Sequence, residues 1–240
     1  MNEDAFSIEV ESALNTTLEG TTGSFKIGDG SDGHSSLEVK YFLTHVGLDF
    51  ENSQNSQILS ELAPVREIFD TKSLDFDQIM QRDINDARVS SKLIPYILDE
   101  ENTVSVKFFP PIVIMALPIE SIGANPEKRY PKVTAFESNE KKNGIAKWYI
   151  TRSGEIGSEV FQFEQPMMPN NVILKKQLVK FRFNNKRCKL VIVDGQHRAM
   201  ALLALYRNIN NEWSDSKRKP YEPYYEEWTP DYIREPLKTH

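Results

Sequence analysis

The chain has 240 residues, 39% of them hydrophobic, and a formal net charge of −6; it can bury a substantial core and is not an intrinsically disordered protein. No apolar run approaches the roughly 20 residues that span a bilayer, and Met1-Asn-Glu-Asp-Ala-Phe6 lacks the basic flank and apolar stretch of a signal peptide. A cytoplasmic protein without membrane contact is therefore expected. The single cysteine, Cys188, excludes an internal disulfide framework and a CxxC metal site, and reads as a small buried hydrophobe.

Residues 1–36 are rich in Gly, Ser, Thr, Asp and Glu and are expected to form a flexible or hairpin-like segment, with Phe6, Ile8 and Val10 alternating as in a short strand. A domain over 37–240 then begins with a strand over Leu37–Leu43. A helix over Gln54–Ala63 stops before Pro64, and a second is predicted around Asp75–Met80. A polar Arg segment, Gln81–Val89, precedes a helix over Ser90–Leu98, and a polar loop then leads to a strand over Ile112–Leu117 opened by Pro110 and Pro111. Val133–Glu137, Ile145–Thr151 and Glu159–Phe163 alternate as strands of an antiparallel insertion. Leu178–Phe183 is a further strand, joined by the short link 184–187 to a core strand at Leu190.

The run Leu190–Val193 is apolar and β-branched, and Ala199–Tyr206 consists of strong helix formers, so Asp194-Gly195-Gln196-His197-Arg198 falls on a strand-to-helix turn. Such a turn gathers backbone N–H groups and the positive end of a helix at one point, and glycine lets a ligand approach the backbone. A phosphate fits that chemistry. Gly195 admits it, Arg198 offers a planar fork, His197 donates to another oxygen, and Asp194 holds Mg²⁺ or orients a water. Gln196, neither base nor nucleophile, is left to orient water as in some GTPases. Asp194, Gln196 and His197 are thus the candidate catalytic residues, with Asp194 the candidate metal ligand.

Charge is unevenly spread: residues 1–80 hold 15 Asp/Glu against 4 Lys/Arg, while 81–240 hold 20 against 25. Lys175, Lys176, Lys180, Arg182, Lys186 and Arg187 precede the turn and are candidate DNA contacts, or the solvated face of a hairpin. After Tyr206 come Trp213, Tyr221, Tyr224, Tyr225, Trp228 and Tyr232 with three prolines, which read as an arm packed on the domain or as a platform for bases. The chain carries no Gly-x-x-x-x-Gly-Lys-Ser/Thr loop, no His-Glu-x-x-His and no Gly-x-Ser-x-Gly elbow.

Asp194-Gly-Gln-His-Arg198 resembles the signature of the DGQHR-domain family, which includes DndB-type proteins of bacterial DNA phosphorothioation. More distantly, Gly195 to Arg198 followed by Ala201 resembles the Gly-Glu-Arg-Arg-x-x-Ala box of ParB proteins and the Gly-Cys-His-Arg box of sulfiredoxins. The segment from Gln81-Arg82 through Arg88 to Phe108-Phe-Pro-Pro111 is similar to the first box of these domains, so the resemblance covers about residues 78–206. It implies an α/β (α+β) fold of ParB/sulfiredoxin-like type with a β-rich insertion. Arg82 and Arg88 would then reach the phosphate site from across the fold. Gln196 stands where sulfiredoxins carry their catalytic Cys, which excludes their chemistry. The family pattern also expects a core strand after residue 206, so the 37–240 domain is expected to be truncated at its C-terminal end. Three functions follow as expectations. The first is a domain that binds ATP or another NTP with Mg²⁺, with hydrolysis as a further step, alongside DNA and other proteins of a bacterial DNA-modification or anti-phage defence system. The second is a non-enzymatic DNA-binding regulatory module. The third is a scaffold with a structural turn.

Overall fold

The computed structural model describes residues 13–28, 37–45, 47, 58–69, 83–98, 108–120, 130–139, 145, 147–168 and 178–237. The fold is α+β. The chain divides into two compact units: unit one takes Met1–His45, Pro118–Ser121 and Glu127–Cys188, and unit two takes Val46–Leu117, Ile122–Pro126 and Lys189–His240.

Unit one is an antiparallel sheet of six strands, β1 (Thr16–Ile27), β2 (Leu37–Leu43), β5 (Val133–Ser138), β6 (Trp148–Ser153), β7 (Phe161–Pro166) and β8 (Leu178–Phe183), in the order β2-β1-β8-β7-β6-β5. The expected insertion is thus completed by strands from the N-terminal part. Residues 16–27 form a strand that pairs with β8 over Thr16–Thr21 and with β2 over Thr21–Ile27, so the boundary expected at residue 36 falls inside the sheet. Registers Leu18↔Phe181 and Phe163↔Phe181 put Leu18, Phe163 and Phe181 on one face. Phe42 joins them, its ring centroid 5.8 Å from that of Phe181 and 5.9 Å from that of Phe163. Gly20 is what admits Phe42: a Cβ there would strike its ring and the Leu43 carbonyl. The alternation Phe6, Ile8, Val10 and the helix around Asp75–Met80 lie outside the described residues.

Unit two holds a three-stranded sheet in the order β3-β9-β4: β3 (Leu62–Pro64), β4 (Val113–Pro118) and β9 (Cys188–Asp194), with β3 and β9 parallel through Leu62↔Leu190. Of the helix expected over 54–63, residues 54–57 lie outside the described residues, 58–61 are helical, and β3 takes over at Leu62, where pairing with β9 satisfies the backbone. A short helix, α1 (Val65–Ile68), follows Pro64. Among the described residues the next helix, α2, runs unbroken through Asp86–Arg88, Val89–Leu93 and Ile94–Leu98, the middle piece being a π-turn. Pro95 has no N–H to give the carbonyl four residues earlier, and a widened turn accommodates that loss. The helix begins at Asp86, ahead of the start expected at Ser90, because the Asn85 side chain caps the Arg88 N–H at 2.9 Å.

Helix α3 (Gln196–Asn210) is buried over Ala199, Met200, Ala201 and Leu203–Arg207, more than the single stripe of a surface helix. The arm after it contains a 3₁₀ segment, Lys219–Tyr225, and α4 (Pro230–Leu237). Trp213, Tyr225 and Trp228 are buried, and Trp213 stacks on Tyr225 at 5.5 Å between ring centroids. Of the two readings of the arm, packing on the domain is the one these three residues follow. No helix among the described residues is long and apolar enough to cross a membrane.

Candidate functional site

Strand β9 ends at the exposed Asp194, Gly195 turns the chain at φ 78°, ψ 25°, and α3 starts at Gln196. The turn is thus of the expected kind. Its first intrahelical bond runs from the Ala199 N–H to the Gly195 carbonyl at 2.9 Å, and no side chain caps the helix start. The N–H groups of Gln196, His197 and Arg198 form that uncapped first turn.

Three side chains take positions that the sequence reading did not anticipate. Arg198 folds back over Gly195: a Cβ on Gly195 would lie 2.7 Å from Arg198 Nη2 and 3.3 Å from its Cζ. Nη2 donates to the Pro111 carbonyl at 3.2 Å, and Nε is buried without a hydrogen-bond partner. The room left by glycine is therefore filled by this guanidinium, which corrects the picture of an open approach to the backbone. Gln196 Nε2 donates back to the Ile192 carbonyl at 3.4 Å and does not reach over the turn. His197 Nε2 accepts the Asn85 N–H at 3.0 Å, so any donation to a ligand has to come from Nδ1.

That last bond needs a neutral imidazole. Burial lowers the His197 pKa from its ordinary value of 6.5; Arg88 lowers it further, Asp86 opposes, and Arg66 adds to the lowering. With the folded pKa below the unfolded one, the native state binds fewer protons between the two values. The stabilisation is complete above 6.5 and is lost as the pH falls from there through the folded value. We expect the urea midpoint of the wild type to drop more between pH 7.5 and pH 5.5, chosen as about one unit either side of the ordinary histidine value, than that of His197→Gln. Equal drops would show that His197 does not carry this linkage.

Arg88 is exposed on the first turn of α2, on the side whose charge His197 senses, while Arg82 lies outside the described residues. Among the described residues no three His, Cys, Asp or Glu side chains converge as a metal site. An Mg²⁺ carried by a nucleotide takes only one or two protein carboxylates with its phosphates, and within the turn only Asp194 has a carboxylate to offer.

The candidate DNA contacts belong to unit one, whereas the turn belongs to unit two. Lys175 and Lys176 lie outside the described residues. Lys180 pairs with Glu19 at 3.2 Å, Arg182 with the buried Glu164 at 3.4 Å, and Arg187 Nη1 donates to the Ser158 carbonyl at 2.8 Å. Lys186 is exposed. Three of the four described cations are thus engaged within their own unit.

The sequence reading missed a buried charged network next to the turn. Arg66 grips Asp86 with two bonds of 2.7 and 2.8 Å and lies 3.4 Å over the Tyr221 ring, and Tyr225 donates to Asp86 at 2.6 Å. Burial opposes the Arg66 charge, yet its hydrogen bonds to Asp86 and the Asp86 field outweigh that, so its pKa is raised. Asp86 follows Asn85, whose N–H holds His197, so this network anchors the α2 end of the contact. The signal was present in Arg66-Glu67 set within the apolar run Leu62 to Phe69. No protein-family model, no curated protein and no solved structure matches the chain.

Proposed function

We propose that the 194–198 turn binds the phosphates of a nucleoside triphosphate, ATP or another NTP, with Mg²⁺ beside Asp194. On the resemblance of its box, the protein would do so in a bacterial DNA-modification or anti-phage defence system, in a ParB/sulfiredoxin-like domain. The observation that carries the reading is the pairing of an uncapped helix start with the Arg198 guanidinium laid over the left-handed Gly195. An arriving phosphate can draw Arg198 off the glycine, satisfy its orphaned Nε, and receive the first-turn N–H groups together. Binding is supported better than turnover. Gln196 is turned toward Ile192, so hydrolysis would rest on Asp194 alone to orient water.

Calorimetric titration of the full chain with ATP, CTP and GTP, each with Mg²⁺, set beside duplex DNA, tests the proposal. At least one nucleotide should bind, and Arg198→Ala should lose roughly 1.5–3 kcal/mol of that affinity, the scale of a hydrogen bond to a charged group. DNA binding without any nucleotide binding would replace this reading with that of a DNA-binding module.

A further inference from the structure

Beyond the site, the two faces of the β1–β2 hairpin change polarity along its length. Near Gly20 the apolar side carries Leu18 and Phe42. Toward the hairpin tip it is the other side, where Phe25 and Ile27 of β1 stand across from Val39 and Leu37 of β2, and Tyr41 covers Gly23. Leu37 is 62% exposed and Tyr41 49%. Among the described residues β2 is the outermost strand at this end of the sheet, so its outer edge and this apolar stripe are both uncovered. The opposite face of β2 carries Glu38 and Lys40, two residues apart and of opposite charge.

Charges on an edge strand ordinarily keep it from pairing. Here their spacing makes the strand complementary to itself. In an antiparallel pair of two β2 strands about a twofold axis at Val39, Glu38 faces Lys40 of the other copy and Lys40 faces its Glu38. On the other face Val39 meets Val39, and Leu37 meets Tyr41 in both directions. A shift of the axis by one residue, to Glu38 or Lys40, sets that residue against its own copy and like charge against like. A shift that pairs odd positions with even ones sets the apolar stripe against the charged face. We infer that β2 is a homodimerisation edge, joining two six-stranded sheets through an isologous contact over Leu37–Tyr41.

Sedimentation of the full chain across a wide concentration range tests this. The wild type should dimerise. Lys40→Glu and Glu38→Lys each turn two attractive cross-strand pairs into two repulsive ones, so each variant alone should dimerise more weakly by roughly tenfold or more. An equimolar mixture of the two variants restores both opposite-charge pairs and should associate as a heterodimer, with circular dichroism confirming that each is folded. A wild type that stays monomeric throughout, a dimer indifferent to both reversals, or a mixture that fails to recover association overturns the inference.

Discussion

Glu67→Ala is expected to cost unit two about 3–5 kcal/mol, the scale on which breaking one partner of a buried ion pair destabilises a protein. Arg207 is 2% exposed and gives Glu67 two bonds of 2.8 Å each, and Arg218 adds a third at 3.2 Å. Burial holds the Arg207 pKa below its ordinary value, although Glu67 opposes the shift. Without Glu67 the guanidinium keeps its desolvation cost and loses its compensation; Trp213, 5.2 Å from its Cζ, offers only a ring face. Urea unfolding followed by tryptophan fluorescence would read the loss, since Trp213 and Trp228 lie in this unit. Replacing both partners, Glu67→Leu with Arg207→Met, should recover most of the stability, because an apolar pair of similar volume removes the desolvation cost of both charges. Arg218 is 22% exposed at its side chain and can turn to solvent in that variant. A cost below about 1 kcal/mol for Glu67→Ala would place the triad among screened surface pairs and sink the argument.

Local chemistry decided which parts of this molecule could be read from sequence. The strand, left-handed glycine and helix at 188–210 were legible because a β-branched run and a run of helix formers are separated only by five polar residues that include one glycine. Strands β5 to β8 were legible by alternation. Strand β1 was not: it falls in the Gly-rich segment expected to be flexible or hairpin-like, yet Gly20 and Gly23 sit in a strand, one under the Phe42 ring and the other under Tyr41. The start of α2 was hidden for a similar reason, since a capping Asn85 looks like loop until the Arg88 N–H bound to it is seen. Position in the candidate site was less legible than membership of it. Spacing put Gly195, His197 and Arg198 on one turn, but the partners that orient them, Asn85 and Pro111, are about a hundred residues away along the chain.

Gly195 offers a way to separate the fold of the turn from any ligand it holds. At φ 78° an L-residue other than Gly, Asn or Asp carries a cost of roughly 1–2 kcal/mol. Gly195→Ala should show this loss together with displacement of Arg198 from the Pro111 carbonyl. Gly195→Val should lose more, because a β-branched side chain is a rarer tenant of the left-handed region. Placing Gly195→Ala in an Arg198→Ala background should return the part due to the 2.7 Å approach and leave the backbone part, a coupling that a double-mutant cycle measures. An alanine variant as stable as the wild type in both backgrounds would mean that the turn is not left-handed. Gly195→Asn should be the mildest of the three, since Asn visits this region readily, while its side chain still stands where a phosphate must approach. A nucleotide affinity lost in a folded Gly195→Asn chain therefore reports on approach to the backbone, and an affinity kept there would place the ligand elsewhere.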